Sequence, residues 1–203
     1  MENKVLTWLG VLVLVIVFLN QVLHGSDWVE IYWYCNVAGF LLAFGLLFRF
    51  APLVNAVLIT AIPSQFLWIW DFFLNMFGHG LGRTAELFSG TSLFIFVISI
   101  TLHVLIIPIS AYGSYKLGFS KSSFWYAWLI FVLILMSATF FLTDVDDNLN
   151  CVFYGCDLVY GTFFYPGKAF SQLAYVLGYW SVLCVVSYGV LGFLGKKLHI
   201  YRK

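Results

Sequence analysis

The sequence predicts an all-α membrane protein, a single domain built as a bundle of about six transmembrane helices. Of the 203 residues, 63% are hydrophobic and only 9% are charged, and the mean hydropathy is +0.97. Soluble domains carry about 25% charged residues, so this composition excludes a water-soluble fold. Backbone amides cannot stay unsatisfied in lipid, and long apolar runs without strand alternation indicate helices rather than a β-barrel.

Six apolar segments have the length needed to cross a hydrocarbon layer about 30 Å thick. Each is bounded by polar or turn-forming residues, and they cover approximately residues 5–23, 32–48, 53–77, 91–112, 124–142 and 173–194. Pro63 and Pro108 fall inside the third and fourth segments and are expected to kink them. The first segment is longer than the core of a signal peptide and no small-x-small cleavage site follows it, so we interpret it as a retained helix.

The basic residues predict that both termini face the cytoplasm, because short cytoplasmic loops are enriched in Lys and Arg. A six-helix arrangement puts these on the side of the termini: Lys4, Arg49, Lys116, Lys121, Lys196, Lys197, Arg202 and Lys203. Only Arg83 and Lys168 fall on the other side. The net charge is +1 and no basic face forms, so we expect membrane lipid rather than nucleic acid as the partner. The default location is a plasma or bacterial inner membrane.

Strongly polar side chains within the apolar segments are candidates for function, because such groups are costly in hydrocarbon. They include Cys35 and Asn36 in helix two, Gln65 and Asp71 in helix three, and His103 in helix four. At 1.5 Å per residue, Cys35, Asp71 and His103 all fall in the outer half of the bilayer, where one cavity could hold them. Each of the three also has a structural alternative. Cys35 could be a packing thiol, His103 could hydrogen-bond a neighbouring helix, and Asp71 could be an anchor at the membrane surface.

The connection between helices five and six contains Cys151, Cys156 and an acidic cluster over residues 144–147. We favour a structural disulfide or two reduced thiols over redox catalysis, because a redox pair is typically C-x-x-C. The acidic cluster lacks the glycine and the terminal glutamate of an EF-hand loop, so we interpret it as a solvated surface. Neither a metal nor a cofactor is expected.

Four short stretches carry a family resemblance: Tyr32-Trp-Tyr-Cys35-Asn36, Gln65–Asp71, Thr101-Leu-His103 and Asp147-Asn148-Leu-Asn150-Cys151-Val-Phe. They resemble the YwaF-like bacterial integral membrane proteins. That family is distantly similar to a membrane acyltransferase acting on ether phospholipids and to the androgen-induced and androgen-dependent fatty-acid-ester hydrolases. The resemblance implies a nucleophile early in helix two and a histidine in helix four, roles that fall by position to Cys35 and His103. It gives no role to Asp71.

These residues together predict a membrane-embedded acyltransferase or lipid-ester hydrolase. The thiolate is the reactive form of cysteine, so Cys35 needs a base nearby, and His103 could supply one. Asn36 or Gln65 could donate hydrogen bonds to the oxyanion. Asp71 could orient the imidazole.

Two other classes of function fit the same composition. A compact six-helix chain also suits a transport protein or the substrate-binding subunit of an uptake system, in which the buried polar groups would line a ligand pocket. A structural partner in a membrane complex would use small residues for helix packing, and helix six offers Gly178, Ser181 and Gly192. A reactive Cys35 would distinguish the enzyme from both.

Overall fold

The computed structural model describes residues 2–23, 31–79, 84, 88, 92–143 and 170–197. These residues form helices and no strand, which confirms the all-α prediction. The helices are α1 (Glu2–Leu23), α2 (Tyr34–Leu47), α3 (Ala51–Met76), α4 (Leu93–Leu117), α5 (Ser123–Leu142) and α6 (Phe170–Lys197). Pro63 and Pro108 lie inside α3 and α4, as the sequence predicts.

Five of these helices are long and apolar enough to cross a membrane: α1, α3, α4, α5 and α6. Helix α2 has 14 residues and rises only about 21 Å. Large apolar side chains point outward from the bundle, including Trp8, Phe48, Leu93 and Phe193, which are 67% to 77% exposed. A surface this apolar suits a lipid environment rather than water, which indicates a membrane protein.

Contacts between antiparallel helices gather four of the ten basic residues at one end of the bundle. A Cβ atom at Gly10, in the first half of α1, would lie 2.9 Å from Leu47 at the end of α2. Asn55, near the start of α3, donates from Nδ2 to the backbone oxygen of Gly118, just after α4, at 3.0 Å. The ends of α2 and α4 therefore lie near the starts of α1 and α3, and the first turn of α5 packs on α3. We call this the basic end, since its helix ends and turns carry Lys4, Arg49, Lys116 and Lys121.

The sequence predicts that the fourth helix ends near residue 112, but α4 continues to Leu117. Gly113 is the first residue after the predicted segment, and in the structure it is a close-packing position inside the helix. A Cβ atom at Gly113 would lie 2.8 Å from Leu46 of α2 and 2.9 Å from Val54 of α3. The helix ends at Gly118, whose φ of 89° is a backbone conformation that glycine adopts without strain.

Gly113→Ala is expected to lower the melting temperature of the purified protein, because the added methyl group must displace Leu46 or Val54. Overpacking of this kind costs about 1–3 kcal/mol. Gly178→Ala in α6 is the control, since no atom lies within 4 Å of its added Cβ. Tryptophan fluorescence during heating in detergent measures both. Equal melting temperatures for the two variants would contradict the close approach of α2, α3 and α4.

Helix α5 contains a π-helical stretch, Ala127–Leu135, that the hydropathy pattern does not predict. Such stretches are rare and often occur near functional sites. Phe131 in this stretch is buried, and its ring centroid lies 5.3 Å from that of Tyr34 in α2. The Tyr34 hydroxyl in turn lies 2.8 Å from Thr60 Oγ1 of α3. The π-helical stretch therefore packs against the part of α2 that carries the candidate nucleophile.

Candidate functional site

A chain of buried hydrogen bonds joins α1, α2 and α4 in the half of the bundle away from the basic end. Asn20 Nδ2 donates to Asn36 Oδ1, and Ser99 Oγ donates to Asn20 Oδ1, both at 3.0 Å. Asn36 Nδ2 also donates to Gln21 Oε1 at 3.2 Å. Asn20, Asn36 and Ser99 are all buried. Because an amide without partners is costly inside a membrane, these bonds favour one relative position of the three helices.

His103 lies one turn after Ser99 on α4, and its ring is held from two directions. Its Nδ1 atom is 2.7 Å from the backbone oxygen of Ser99. The ring stacks on Trp68 of α3, with centroids 3.8 Å apart and planes 12° from parallel. A carbonyl oxygen can only accept, so Nδ1 carries a proton, and in the neutral imidazole Nε2 is then the acceptor nitrogen. This is a tautomer that can act as a general base.

Cys35 is buried at the start of α2 and is a thiol rather than half of a disulfide. Its neighbour in sequence, Asn36, is joined through Asn20 to Ser99, whose backbone oxygen holds His103. One connected polar network therefore contains Asn36 and His103. The pairing of the Cys35 thiol with the imidazole stays a prediction.

Gln65 lies one turn before Trp68 on α3 and is 2% exposed. Residues three apart share a helix face, so Gln65 lies on the face of α3 that meets His103. Its Oε1 atom is buried and has no hydrogen-bond partner among the described residues. An unpartnered buried amide oxygen is costly, and a donor on a bound molecule would remove that cost. Donation from Gln65 to an oxyanion stays a prediction.

Asp71 is 0% exposed and lies near the end of α3 opposite the basic end. Its Oδ2 atom accepts hydrogen bonds from Thr84 N at 2.8 Å, Thr84 Oγ1 at 3.0 Å and Asn75 Nδ2 at 3.2 Å. Hydrogen bonds to a carboxylate are stronger than neutral ones, so this oxygen ties residue 84 to α3. The group at His103 Nδ1 is the Ser99 carbonyl, and a role for Asp71 in orienting the imidazole stays a prediction.

Two predicted residues, Cys151 and Cys156, lie outside the described residues. Cys184, the other described cysteine, is buried in α6 and also forms no disulfide. Within the described ranges, no group of three or more His, Cys, Asp or Glu side chains could hold a metal ion.

We compared the chain with known protein families, curated proteins and solved structures. No family model, curated protein or solved structure matches the chain. The resemblance to the YwaF-like family therefore stays a prediction. Function has to be inferred from the side chains around His103.

Three residues of this region were missed by reasoning from the sequence: Asn20, Ser99 and Trp68. Asn20 gave a usable signal, because an amide near the end of an otherwise apolar helix needs a partner. Ser99 gave little signal, because a serine can bond within its own helix. Trp68 stood in an aromatic run typical of a membrane surface, so its stacking on His103 could not be read from the pattern.

Proposed function

We propose that this chain is a membrane-embedded acyltransferase or lipid-ester hydrolase, with Cys35 as the nucleophile and His103 as the general base. The observation that carries the proposal is the Ser99 carbonyl at 2.7 Å from His103 Nδ1. It assigns the proton to Nδ1, so that in the neutral imidazole Nε2 is the nitrogen able to accept a proton. Stacking on Trp68 further fixes the ring, which reduces the reorganisation needed during reaction.

The proposal includes six membrane spans with both termini in the cytoplasm. Helix α2 packs antiparallel to α1 over much of its length, since Asn36 bonds Asn20 and a Cβ at Gly39 would lie 3.0 Å from Val17. If α2 crosses the membrane together with the five longer helices, it is the sixth span. The basic end then faces the cytoplasm of a plasma or bacterial inner membrane, as the distribution of Lys and Arg favours. In this orientation Cys35 lies toward the outer leaflet, so the proposed substrates are the phospholipid esters of that leaflet.

The reaction proceeds through a thioester on Cys35. His103 Nε2 takes the thiol proton as Sγ attacks the ester carbonyl carbon, and the C–S bond forms. The ester C–O bond then breaks, and the leaving lysolipid oxygen receives the proton from His103. In the second half, an acceptor hydroxyl or water gives its proton to Nε2 and attacks the thioester carbonyl. The C–S bond breaks, and the Cys35 sulfur regains the proton.

The thioester can be trapped directly. Protein reconstituted with phospholipids that carry an alkyne-tagged acyl chain is expected to acquire the tag, and neutral hydroxylamine is expected to remove it. Cys35→Ala should abolish the labelling, whereas Cys184→Ala, which removes another buried thiol, should keep it. Labelling that persists in Cys35→Ala would contradict the proposal, as would the absence of labelling with every phospholipid ester tested.

A substrate-binding or transport function is the second candidate, and the unpartnered Oε1 atom of Gln65 favours it. A buried amide oxygen on the helix face that meets His103 could accept a hydrogen bond from a small ligand. The same labelling experiment separates the two candidates. A binding protein would form no thioester at Cys35, and the buried network would serve recognition only.

A further inference from the structure

Three buried polar atoms near the basic end have no hydrogen-bond partner among the described residues. They are Asn55 Oδ1 in α3, Ser114 Oγ in the last turn of α4 and Ser123 Oγ at the first residue of α5. The three residues are at most 4% exposed. Buried polar atoms in native proteins are nearly always hydrogen-bonded, so three orphans at one place need an explanation.

Two of the three residues are hydrogen-bonded to Gly118, and the third begins the helix that follows this turn. Asn55 Nδ2 donates to the Gly118 backbone oxygen at 3.0 Å. Gly118 N donates to the Ser114 backbone oxygen at 2.9 Å. Ser123 opens α5 five residues later, in a helical turn that packs on α3. Three helices thus each contribute one unpartnered polar atom at or next to the turn that contains Gly118.

The hydroxyl of Ser114 behaves differently from several other hydroxyls in the bundle. Ser64, Ser110, Thr139 and Ser181 each donate to the carbonyl four residues earlier, at 2.6 to 2.9 Å. Ser114 makes no such bond to Ser110. The rotamer of Ser114 leaves its hydroxyl turned away from the acceptor that its own helix offers, which is costly unless another acceptor is present.

We propose that an occluded water molecule binds among Asn55, Ser114 and Ser123. The two hydroxyls can each donate, whereas Asn55 Oδ1 can only accept. A water molecule can accept from both hydroxyls and donate to Asn55, which gives the three hydrogen bonds typical of buried water. A cation would leave both hydroxyl hydrogens without an acceptor, and an anion would face the oxygen of Asn55. Water is therefore the ligand whose donors and acceptors match.

This water bridges α3, α4 and α5 where α4 ends at Gly118. It satisfies the polar groups that the turn buries, as ordered water does in membrane helices interrupted by glycine or proline. The site is separate from the network around His103, and it is independent of the proposed acyl transfer.

The sign of a stability change tests the proposal. With bound water, Ser114→Ala and Ser123→Ala each remove a favourable hydrogen bond and should lower the melting temperature by about 2–4 °C. The double variant should lose less than the sum, because both substitutions act on one water molecule. Without water, deleting an orphan hydroxyl should raise the melting temperature. Ser110→Ala, one turn earlier, supplies the baseline for a hydroxyl bonded within its own helix.

Four results would overturn the proposal, and three of them come from the variants: a higher melting temperature in either single variant, a shift equal to that of Ser110→Ala, or strictly additive shifts in the double variant. The fourth comes from the choice of salt. The measurements are repeated in sodium, potassium and choline chloride at equal ionic strength. A wild-type melting temperature that depends on the cation, with the dependence lost in Ser114→Ala, would assign a cation to the site and overturn the water.

Discussion

His103→Gln is expected to slow formation of the Cys35 thioester by about 100-fold or more, the usual contribution of a positioned general base. Glutamine is polar and of similar length, but it has no nitrogen that can take up the thiol proton. The initial rate of tagging by the alkyne-labelled phospholipid measures the effect. The glutamine amide can still donate to the Ser99 carbonyl that His103 Nδ1 bonds, so the loss should appear in the rate of acylation rather than in the amount of folded protein.

Two controls separate the chemistry of His103 from its packing. His79→Gln makes the same substitution at an exposed histidine just beyond α3, and the rate should stay at the wild-type level. Ser99→Ala removes the hydroxyl that bonds Asn20 but keeps the carbonyl that bonds His103, so most of the activity should remain. A wild-type rate in His103→Gln would remove the imidazole from the mechanism.

The helices were predictable because a bilayer imposes a length on every segment that crosses it. Each of the six apolar segments overlaps one helix of the structure, and polar or turn-forming residues lie between them. The errors come from local packing. Gly113 looked like the start of a connection, yet its missing side chain lets α4 approach α2 and α3. The π-helical stretch in α5 has no hydropathy signature at all.

The candidate site was predictable only as a set of residues. Cys35, Asn36, Gln65, Asp71 and His103 stand out because polar side chains are rare in these segments. Their partners were not predictable, because the rotation of each helix about its axis decides which side chains meet. Helices with apolar residues on every face give little information about that rotation. The decisive contact at His103 is a backbone carbonyl, which any residue at position 99 could have supplied.

Asp71 shows how partners change the meaning of a residue. As a carboxylate in the same half of the bilayer as His103, it could be an orienting group for the imidazole. In the structure its Oδ2 atom holds the backbone amide and the hydroxyl of Thr84 and the amide of Asn75. We therefore expect Asp71 to act mainly on stability, by holding Thr84 against the end of α3.

Asp71→Ala is accordingly expected to destabilise the protein by about 3 kcal/mol or more, because each hydrogen bond to a charged group contributes roughly 1.5–3 kcal/mol. For a chain of this size the melting temperature should fall by at least about 6 °C. Asn75→Ala is the matched control, and it should cost much less, because the two bonds from Thr84 to the carboxylate remain. The acylation rate per folded molecule should not change in Asp71→Ala, since the Ser99 carbonyl continues to hold His103. A rate as low as that of His103→Gln, with an unchanged melting temperature, would instead make Asp71 a positioning residue for the imidazole.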